Sequence, residues 1–413
     1  MSGISTNYCP CEMVYSSETA KEADVFKKGK VDIADFTGQL GQLYTKNGQF
    51  IEEGTVIKRI DLADTLDVIA SQGSNALYDG KLTQSVLNAV NAGLPPDSPW
   101  MTKDDLKNYE VKERAVVKGT YHDSTIISVL SPGSGPVVIS MMNFMEGYNL
   151  QPSDSNTANM FHRFIEASKF AFAQQQFLGD PDFNDVSINN ATNIMISKDV
   201  ASQHRKITTN VTQQDPSVYG AMTLSALDGG TSHISIVDAQ ELMVSVTTTV
   251  NSWFGSKLMT ESGILLNNQM ADFNSAATGG NQMNKIEPGK RPLSNMSPTI
   301  LYNTDHACKL RVNPWCRRGT FYPIRRGGDT VKCGVIREIT HRSNTGPKDG
   351  LPPGSTDEGI KQSIIDNLKA RGHKLEKTTD ILSIVQGVKK VMDKVEAYAD
   401  NRKGGHAATF NNH

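Results

Sequence analysis

The feature that most constrains the fold of this chain is a change in hydrophobic period at Gly230. Before that position, apolar residues recur three or four positions apart. In 61–80 they predict a helix and then a turn, with breaks at Gly73 and Gly80, and in 156–179 they predict a second helix. After it, apolar and polar residues alternate from Thr231 onward, with a short polar interruption at 238–241. Alternation of this kind predicts two strands joined by a tight turn. The chain must therefore combine helices with a sheet.

The turn also predicts how the two strands pair. If it is centred on residue 240, an antiparallel register sets Thr231 opposite Thr249, because both lie nine positions from the centre. Further along, 359–372 has the pattern of an amphipathic helix, 273–297 that of a long surface loop, and 383–392 that of a strand or a helix.

Composition narrows the classes of partner. The chain has 413 residues, 38% of them hydrophobic, which suffices for a buried core, and a net charge of −2. Nine Lys or Arg residues fall between Lys309 and Arg342, but no aromatic platform or nucleic-acid motif accompanies them. We therefore expect a small-molecule or protein partner and no nucleic acid.

Neither a metal nor an export signal is predicted. The five cysteines do not have zinc-site spacing, so no metal site and no cofactor are expected. The first thirty residues are charged throughout and contain no signal-peptide core or membrane anchor. Taken literally, the chain is expected in the cytosol.

Four blocks that occur in order from Asp228 onward carry a family resemblance: DGGTSHISIVDAQ, VSVTTTVNSWFGSKLM, SGILLNNQMADF and EPGKRPLSNMSPTI. They resemble the start of the small subunit of γ-glutamyltransferases. Upstream, LADTLDVIASQG, LYDGKL and HRFIEASKFAFAQQQFLGDPDF resemble blocks of the large subunit. The resemblance implies an α+β fold, the four-layer αββα sandwich of N-terminal-nucleophile hydrolases. It also implies one composite domain made of a partial large-subunit region, 1–230, and a small-subunit region, 231–413.

The resemblance implies that Thr231 is the nucleophile, after self-cleavage between Gly230 and Thr231. A threonine hydroxyl is a poor nucleophile at neutral pH, and a freed α-amine on the same residue supplies a base with a pKa near ~8. The Gly230 carbonyl has no side chain to obstruct attack by that hydroxyl. Thr231 would therefore perform both maturation and catalysis.

The resemblance also assigns residues to substrate recognition. Thr249 would orient Thr231 by a hydrogen bond. Acceptors for the substrate α-ammonium would be Asn251, Gln269 and Asp272. Ser294 and Asn295 stand where the family has a Ser-Ser pair for the carboxylate, and an amide N–H at Asn295 could still donate. Arg318 and Gly319 stand where a Gly-Gly turn forms the oxyanion hole, so a weakened hole is expected.

The function implied is that of a γ-glutamyltransferase and glutathione hydrolase. A γ-glutamyl group would pass from glutathione or another γ-glutamyl compound through a Thr231 ester to water, an amino acid or a dipeptide, with the two cleavage fragments remaining associated. Family members are usually exported or anchored facing outward. The family's N-terminal portion, with an arginine for the carboxylate, is expected to have no counterpart here. The alternative is therefore a catalytically impaired, truncated member with a non-enzymatic role or none.

Overall fold

The chain forms two compact units. In a computed structural model, the residues described are 12–14, 26, 31–52, 54–95, 97, 100–154, 157–220, 231–274, 282–302, 310–316, 361–375, 385–391, 394–399 and 407–408. The first unit comprises Met1–Glu113 with Thr249–Gln269, and the second comprises Arg114–Thr248 with Met270–His413. Each unit thus takes residues from both sides of Gly230.

Where the structure describes it, the first unit is mainly helical and has four short strands. Its elements are β1 (Glu12–Val14), α1 (Gly38–Tyr44), β2 (Thr45–Lys46), β3 (Gln49–Phe50), β4 (Val56–Lys58), α2 (Ile60–Gln72), α3 (Asn75–Tyr78), α4 (Thr83–Val90) and α5 (Lys103–Lys107). Strands β1 and β4 pair antiparallel, as do β2 and β3. The predicted helix in 61–80 is confirmed as α2, which ends at Gly73, where φ is 74°. The short helix α3 lies between Gly73 and Gly80, where a turn was predicted.

Aromatic packing holds the two chain segments of this unit together. Phe26 stacks on Phe254 with ring centroids 5.5 Å apart, and Phe36 packs edge-on against Phe254 at 5.0 Å. At Gly263 the φ is +75°, and a Cβ there would lie 2.7 Å from the Leu62 amide nitrogen. Only glycine fits so close a backbone approach without strain.

The second unit contains a six-stranded sheet, helices and a β-hairpin. Its elements are β5 (Val116–Tyr121), β6 (Ser124–Val129), α6 (Gly135–Glu146), α7 (Ala158–Gln175), α8 (Pro181–Met195), α9 (Lys198–Ile207), β7 (Thr231–Val237), β8 (Met243–Thr249), β9 (Thr299–Tyr302), β10 (Leu310–Cys316), α10 (Gln362–Ala370), β11 (Val385–Val391) and β12 (Lys394–Ala399). The terminal residue of β8, Thr249, is the point at which the chain passes to the first unit.

The sheet has the order β12-β11-β10-β9-β6-β5, and every neighbouring pair is antiparallel. Helix α6 packs on β5 and β6, α7 packs on α6, and the hairpin strand β7 packs on β10 and β11. On the helix side, a Cβ at Gly119 would lie 2.6 Å from a side-chain carbon of Ile139, so the strand and α6 are in close contact. The β7–β8 hairpin forms a separate two-stranded sheet.

Helix α7 is the predicted helix of 156–179. The Thr157 hydroxyl accepts a hydrogen bond from the Met160 amide and caps its first turn. Its apolar face is buried, with Phe161 4% and Ala171 0% exposed. The amphipathic pattern in 359–372 is confirmed as α10, and 383–392 contains strand β11. Among the described helices, none is long and apolar enough to cross a membrane.

Candidate functional site

Thr231 is the first residue of β7 and is buried, with 2% of its surface exposed. The two predicted strands are confirmed, and two contacts across them are symmetric about residue 240. The Asp238 amide donates to the Leu242 carbonyl at 3.1 Å, and His233 Nδ1 lies 2.8 Å from Thr247 Oγ1. Both contacts fit the predicted register. The pairing of Thr231 with Thr249 stays a prediction.

His233, which the sequence reasoning missed, lies two positions after Thr231 and is also buried. Alternate residues of a strand share a face, so Thr231 and His233 lie on one side of β7. The ring contacts Thr247 through Nδ1 and Ser235 Oγ through Nε2, at 2.8 and 2.9 Å. Burial lowers the pKa of His233 to about 3, so the ring is neutral near pH 7. His233 therefore stabilises the hairpin through these two hydrogen bonds. The alternation of residues 231, 233 and 235 in the sequence is the pattern that could have indicated a buried polar residue here.

Asn251 has an unusual backbone and an unsatisfied side chain. Asn251 has a φ of 73° and is 3% exposed. Its backbone amide N–H donates to Thr249 Oγ1 at 2.8 Å. Its Nδ2 donates to the Asn268 carbonyl at 3.2 Å, whereas its buried Oδ1 has no hydrogen-bond partner among the described residues. A buried acceptor without a donor costs roughly 1–3 kcal/mol. Asn251 therefore offers an acceptor suited to a ligand N–H.

Gln269 and Asp272 occupy a single 3-10 turn, Gln269–Asp272, and both side chains are partly buried. The Gln269 amide donates to Asn267 Oδ1 at 2.9 Å. At the other end of the turn, the Asp272 carbonyl accepts from Asn284 Nδ2 at 2.7 Å, and Asn284 Oδ1 accepts from the Leu293 amide at 2.8 Å. Asn284, a second residue that the sequence reasoning missed, therefore ties Asp272 to the segment that precedes Ser294.

Ser294 and Asn295 are held by the start of α6 and the end of α7. The Ser294 amide donates to the Pro132 carbonyl at 2.8 Å, and the Ser134 hydroxyl donates to the Ser294 carbonyl at 2.7 Å. Gln175 Nε2 donates to Asn295 Oδ1 at 2.8 Å. The predicted loop of 273–297, where it is described, is thus an ordered segment fixed by buried polar contacts. Nothing in the sequence pattern indicated the contact with Gln175.

The remaining predicted site residues lie outside the described residues. These are Gly230, before the proposed cleavage point, and the proposed oxyanion pair Arg318 and Gly319. Of the others, Asn251 and Gln269 belong to the first unit, while Thr231, Asp272 and the Ser294–Asn295 pair belong to the second.

One cluster has the composition of a metal site: His162, Glu166 and His373 are buried and their ligand atoms lie within 4.8 Å of one another. However, His162 Nδ1 is 2.7 Å from His373 Nε2, a hydrogen-bond distance. Two nitrogens bound to one tetrahedral zinc would lie about 3.3 Å apart, given Zn–N bonds near 2.05 Å. Glu166 accepts from Tyr219 at 2.6 Å and from Lys169 at 3.3 Å. The geometry is that of a buried hydrogen-bond network linking α7 to the residues after α10.

The comparisons of this sequence with a family profile and with known proteins agree on one family. The profile of the family described as "Gamma-glutamyltranspeptidase" matches residues 13–312. The glutathione hydrolase proenzyme of Arthroderma benhamiae is 37% identical over 277 residues, which are 63% of this chain and 45% of that protein. The Escherichia coli glutathione hydrolase proenzyme is 33% identical over 272 residues, 63% of this chain and 45% of that protein. This chain therefore spans less than half the length of these two relatives.

Among solved structures, a cephalosporin acylase from Bacillus halodurans superposes with a TM-score of 0.68. The match covers 97% of this chain and 72% of the acylase, at 17% sequence identity. At that identity the likeness concerns the fold alone.

Proposed function

Because this chain belongs to the γ-glutamyltranspeptidase family and has an α+β fold of the N-terminal-nucleophile class, we propose that it is a glutathione hydrolase and γ-glutamyltransferase with Thr231 as nucleophile. The family acts on glutathione and other γ-glutamyl compounds. The observation that carries the proposal is the position of Thr231, which follows a glycine and opens a strand as a buried residue.

Maturation comes first in this proposal. The Thr231 hydroxyl attacks the Gly230 carbonyl, the peptide nitrogen leaves as the Thr231 amine, and an ester joins Gly230 to the threonine oxygen. Water then hydrolyses the ester. The products are the fragments 1–230 and 231–413, which remain associated, and the second fragment begins with a free α-amine beside its own hydroxyl.

Catalysis repeats the same chemistry on a substrate. The Thr231 amine takes the hydroxyl proton as the oxygen attacks the γ-carbonyl, and the proton passes to the departing amine. A γ-glutamyl ester of Thr231 remains. Attack by water gives glutamate, whereas attack by the amine of an amino acid or dipeptide gives a new γ-glutamyl peptide. His233 is neutral and already hydrogen-bonded to Thr247, so it acts as a structural brace in this scheme.

The proposed substrate-binding residues form two groups, one for the positively charged α-ammonium and one for the negatively charged α-carboxylate. Asn251, Gln269 and Asp272 are the proposed acceptors for the α-ammonium. The assignment of Asn251 is supported by its Oδ1, which has no hydrogen-bond partner among the residues that the structure describes. Ser294 and Asn295 are the proposed donors to the α-carboxylate. Arg318 and Gly319 are the proposed oxyanion donors. A backbone N–H in an intact Gly-Gly turn contributes roughly 3–4 kcal/mol in the transition state, and we propose a smaller contribution here because Arg318 replaces the first glycine.

Mass spectrometry of the purified chain tests maturation. We expect two fragments, the second starting at Thr231, with masses that sum to the precursor plus one water. Thr231→Ala should leave the chain intact. Thr248→Ala, an exposed threonine on the same hairpin, is the matched control and should cleave normally.

Covalent trapping tests the catalytic step separately. An electrophilic glutamine analogue should label the Thr231 hydroxyl after cleavage and should not label the Thr231→Ala chain. A wild-type chain that stays intact, or label on another residue, would refute Thr231 as the nucleophile.

A further inference from the structure

The direction of each hydrogen bond around Ser134 is fixed by elementary proton counting. Ser134 is 2% exposed, and its Oγ lies 2.7 Å from the carbonyl oxygen of Ser294. A carbonyl can only accept, so the single hydroxyl hydrogen of Ser134 points to Ser294. Any other polar atom close to Ser134 Oγ must therefore donate to it.

Gln175 supplies that donor. Its side-chain amide end lies 2.6 Å from Ser134 Oγ, so the atom there is the NH2 group and not the carbonyl oxygen. The same NH2 group donates its second hydrogen to the Asn295 side chain, with 2.8 Å between Gln175 Nε2 and the Asn295 atom. Since this NH2 can only donate, Asn295 must present its Oδ1 to Gln175. The Asn295 Nδ2 is then directed away from Gln175.

The side chains of Asn295 and Ser294 each retain a hydrogen-bond donor. No described residue accepts a hydrogen bond from Asn295 Nδ2. Ser294 Oγ accepts from the Met296 amide at 3.2 Å, and no described residue accepts its hydroxyl hydrogen. Two residues that are adjacent in the sequence therefore carry an N–H and an O–H donor that no described residue accepts. A carboxylate, which is an acceptor only and takes charge-assisted bonds on both oxygens, is the group that complements them.

We propose that Gln175 is a positioning residue for substrate recognition: through Ser134 and Asn295 it sets the carboxamide of Asn295 so that its N–H donors face the α-carboxylate of a γ-glutamyl substrate. This inference rests on the proposed function for its ligand. The orientation of Asn295 itself rests only on the contacts of Gln175, which is 2% exposed and therefore protected from competing water.

The orientation is tested without substrate by NMR of the side-chain amides, with asparagine labelled with ¹⁵N and the Asn295 signal assigned by its loss in Asn295→Ser. In Gln175→Glu at alkaline pH, the ionised carboxylate can only accept, so Asn295 should turn its NH2 toward position 175 and its signal should shift. Gln174→Glu is the matched control, because Gln174 already uses its Oε1 as an acceptor from Ser140. An Asn295 signal unchanged in Gln175→Glu overturns the proposal.

A second variant covers the case in which Gln175→Glu does not fold. Asn295→Asp keeps an oxygen toward Gln175, so the NH2 signal of Gln175, followed with ¹⁵N-glutamine, should stay close to its wild-type position. A large displacement of that signal would show that Asn295 presents nitrogen to Gln175, and the proposal would be wrong.

Titration with L-glutamate by calorimetry tests the ligand. Gln175→Glu should weaken glutamate binding about ten- to a hundredfold, the loss expected for a charge-assisted donor. Binding of the α-carboxamide analogue should change much less. In turnover assays, KM should rise by a similar factor with little change in kcat.

If the wild-type chain binds no glutamate while the NMR shift occurs, the proposed function fails and the positioning of Asn295 stands. If glutamate binds equally to both chains, the role of Gln175 in recognition is refuted.

Discussion

Arg114 binds two aspartates that differ in burial and in their other hydrogen bonds, so this cluster tests how the surroundings of an ion pair set its contribution to stability. Its guanidinium lies 2.9 Å from Asp180 and 2.8 Å from Asp182. The Asp180 side chain is 0% exposed and that of Asp182 is 39% exposed. Because the two distances are similar, a difference in stability between variants of the two aspartates reflects their burial and the additional hydrogen bonds of Asp180.

Asp180→Asn should be strongly destabilising. Besides Arg114, the Asp180 carboxylate accepts from the Asp182 amide at 3.2 Å and from the Arg291 amide at 2.8 Å. All three partners are donors, so an asparagine NH2 would face at least one of them, and the Arg114 charge would lose its buried partner. Breaking a buried pair in this way costs about 3–5 kcal/mol. Asp182→Asn removes a solvent-screened partner and should cost at most about 1 kcal/mol.

Urea unfolding followed by far-ultraviolet circular dichroism measures both variants. We expect Asp180→Asn to lower the unfolding free energy by at least three times as much as Asp182→Asn, with m-values equal to wild type. In an Arg114→Leu background the effect of Asp182→Asn should be smaller, because the ion pair with Arg114 is absent, while Asp182 still lies 4.0 Å from Arg291. Equal losses for the two asparagine variants would refute the argument from burial.

Two further predictions concern the hairpin and the sheet. Since burial lowers the pKa of His233 to about 3 from 6.5, its contribution to stability is complete above pH 6.5 and is lost as the pH falls toward 3, by up to about 1.4 kcal/mol per unit. The stability difference between wild type and His233→Gln should shrink across that window in urea titrations, and a pH-independent difference would contradict this. Gly135→Ala should prevent folding, because a Cβ would lie 2.1 Å from the Val129 carbonyl oxygen, whereas Gly119→Ala meets only the Ile139 side chain and should cost about 1–3 kcal/mol in thermal melts. Similar melting temperatures for the two alanine variants would show that the backbone at Gly135 can shift.

Local patterns were sufficient to locate several elements. The spacing of apolar residues predicted α7 and α10, and the alternation after Gly230 predicted β7 and β8, because each signal depends only on neighbours within one or two turns or pleats. The same reading missed α6, where Gly135 and Pro136 follow a Pro-Gly pair and suggest a loop. A helix can begin at such a sequence, since proline suits its first turn.

The order of the six-stranded sheet could not be predicted. Strand β6 pairs with β9, and β10 with β11, across long stretches of sequence, and no local period encodes such partners. Pairing strands so distant in the sequence costs loop-closure entropy. That cost is offset by burial of the whole sheet against α6 and β7, and this burial exists only in the folded chain.

The candidate site divides in the same way. The sequence by itself determined the residue types: Thr231 after a glycine, and Ser294 beside Asn295. Only the tertiary structure decided what they can do. Burial in the folded chain lowers the pKa of His233, and Asn251 Oδ1 receives no donor from the part of the chain that the structure describes. The fold also brings Gln175 to Asn295, 120 positions away in the sequence. The physical reason is that charge state and hydrogen-bond direction depend on desolvation and on partners distant in sequence, and neither exists until the chain has folded.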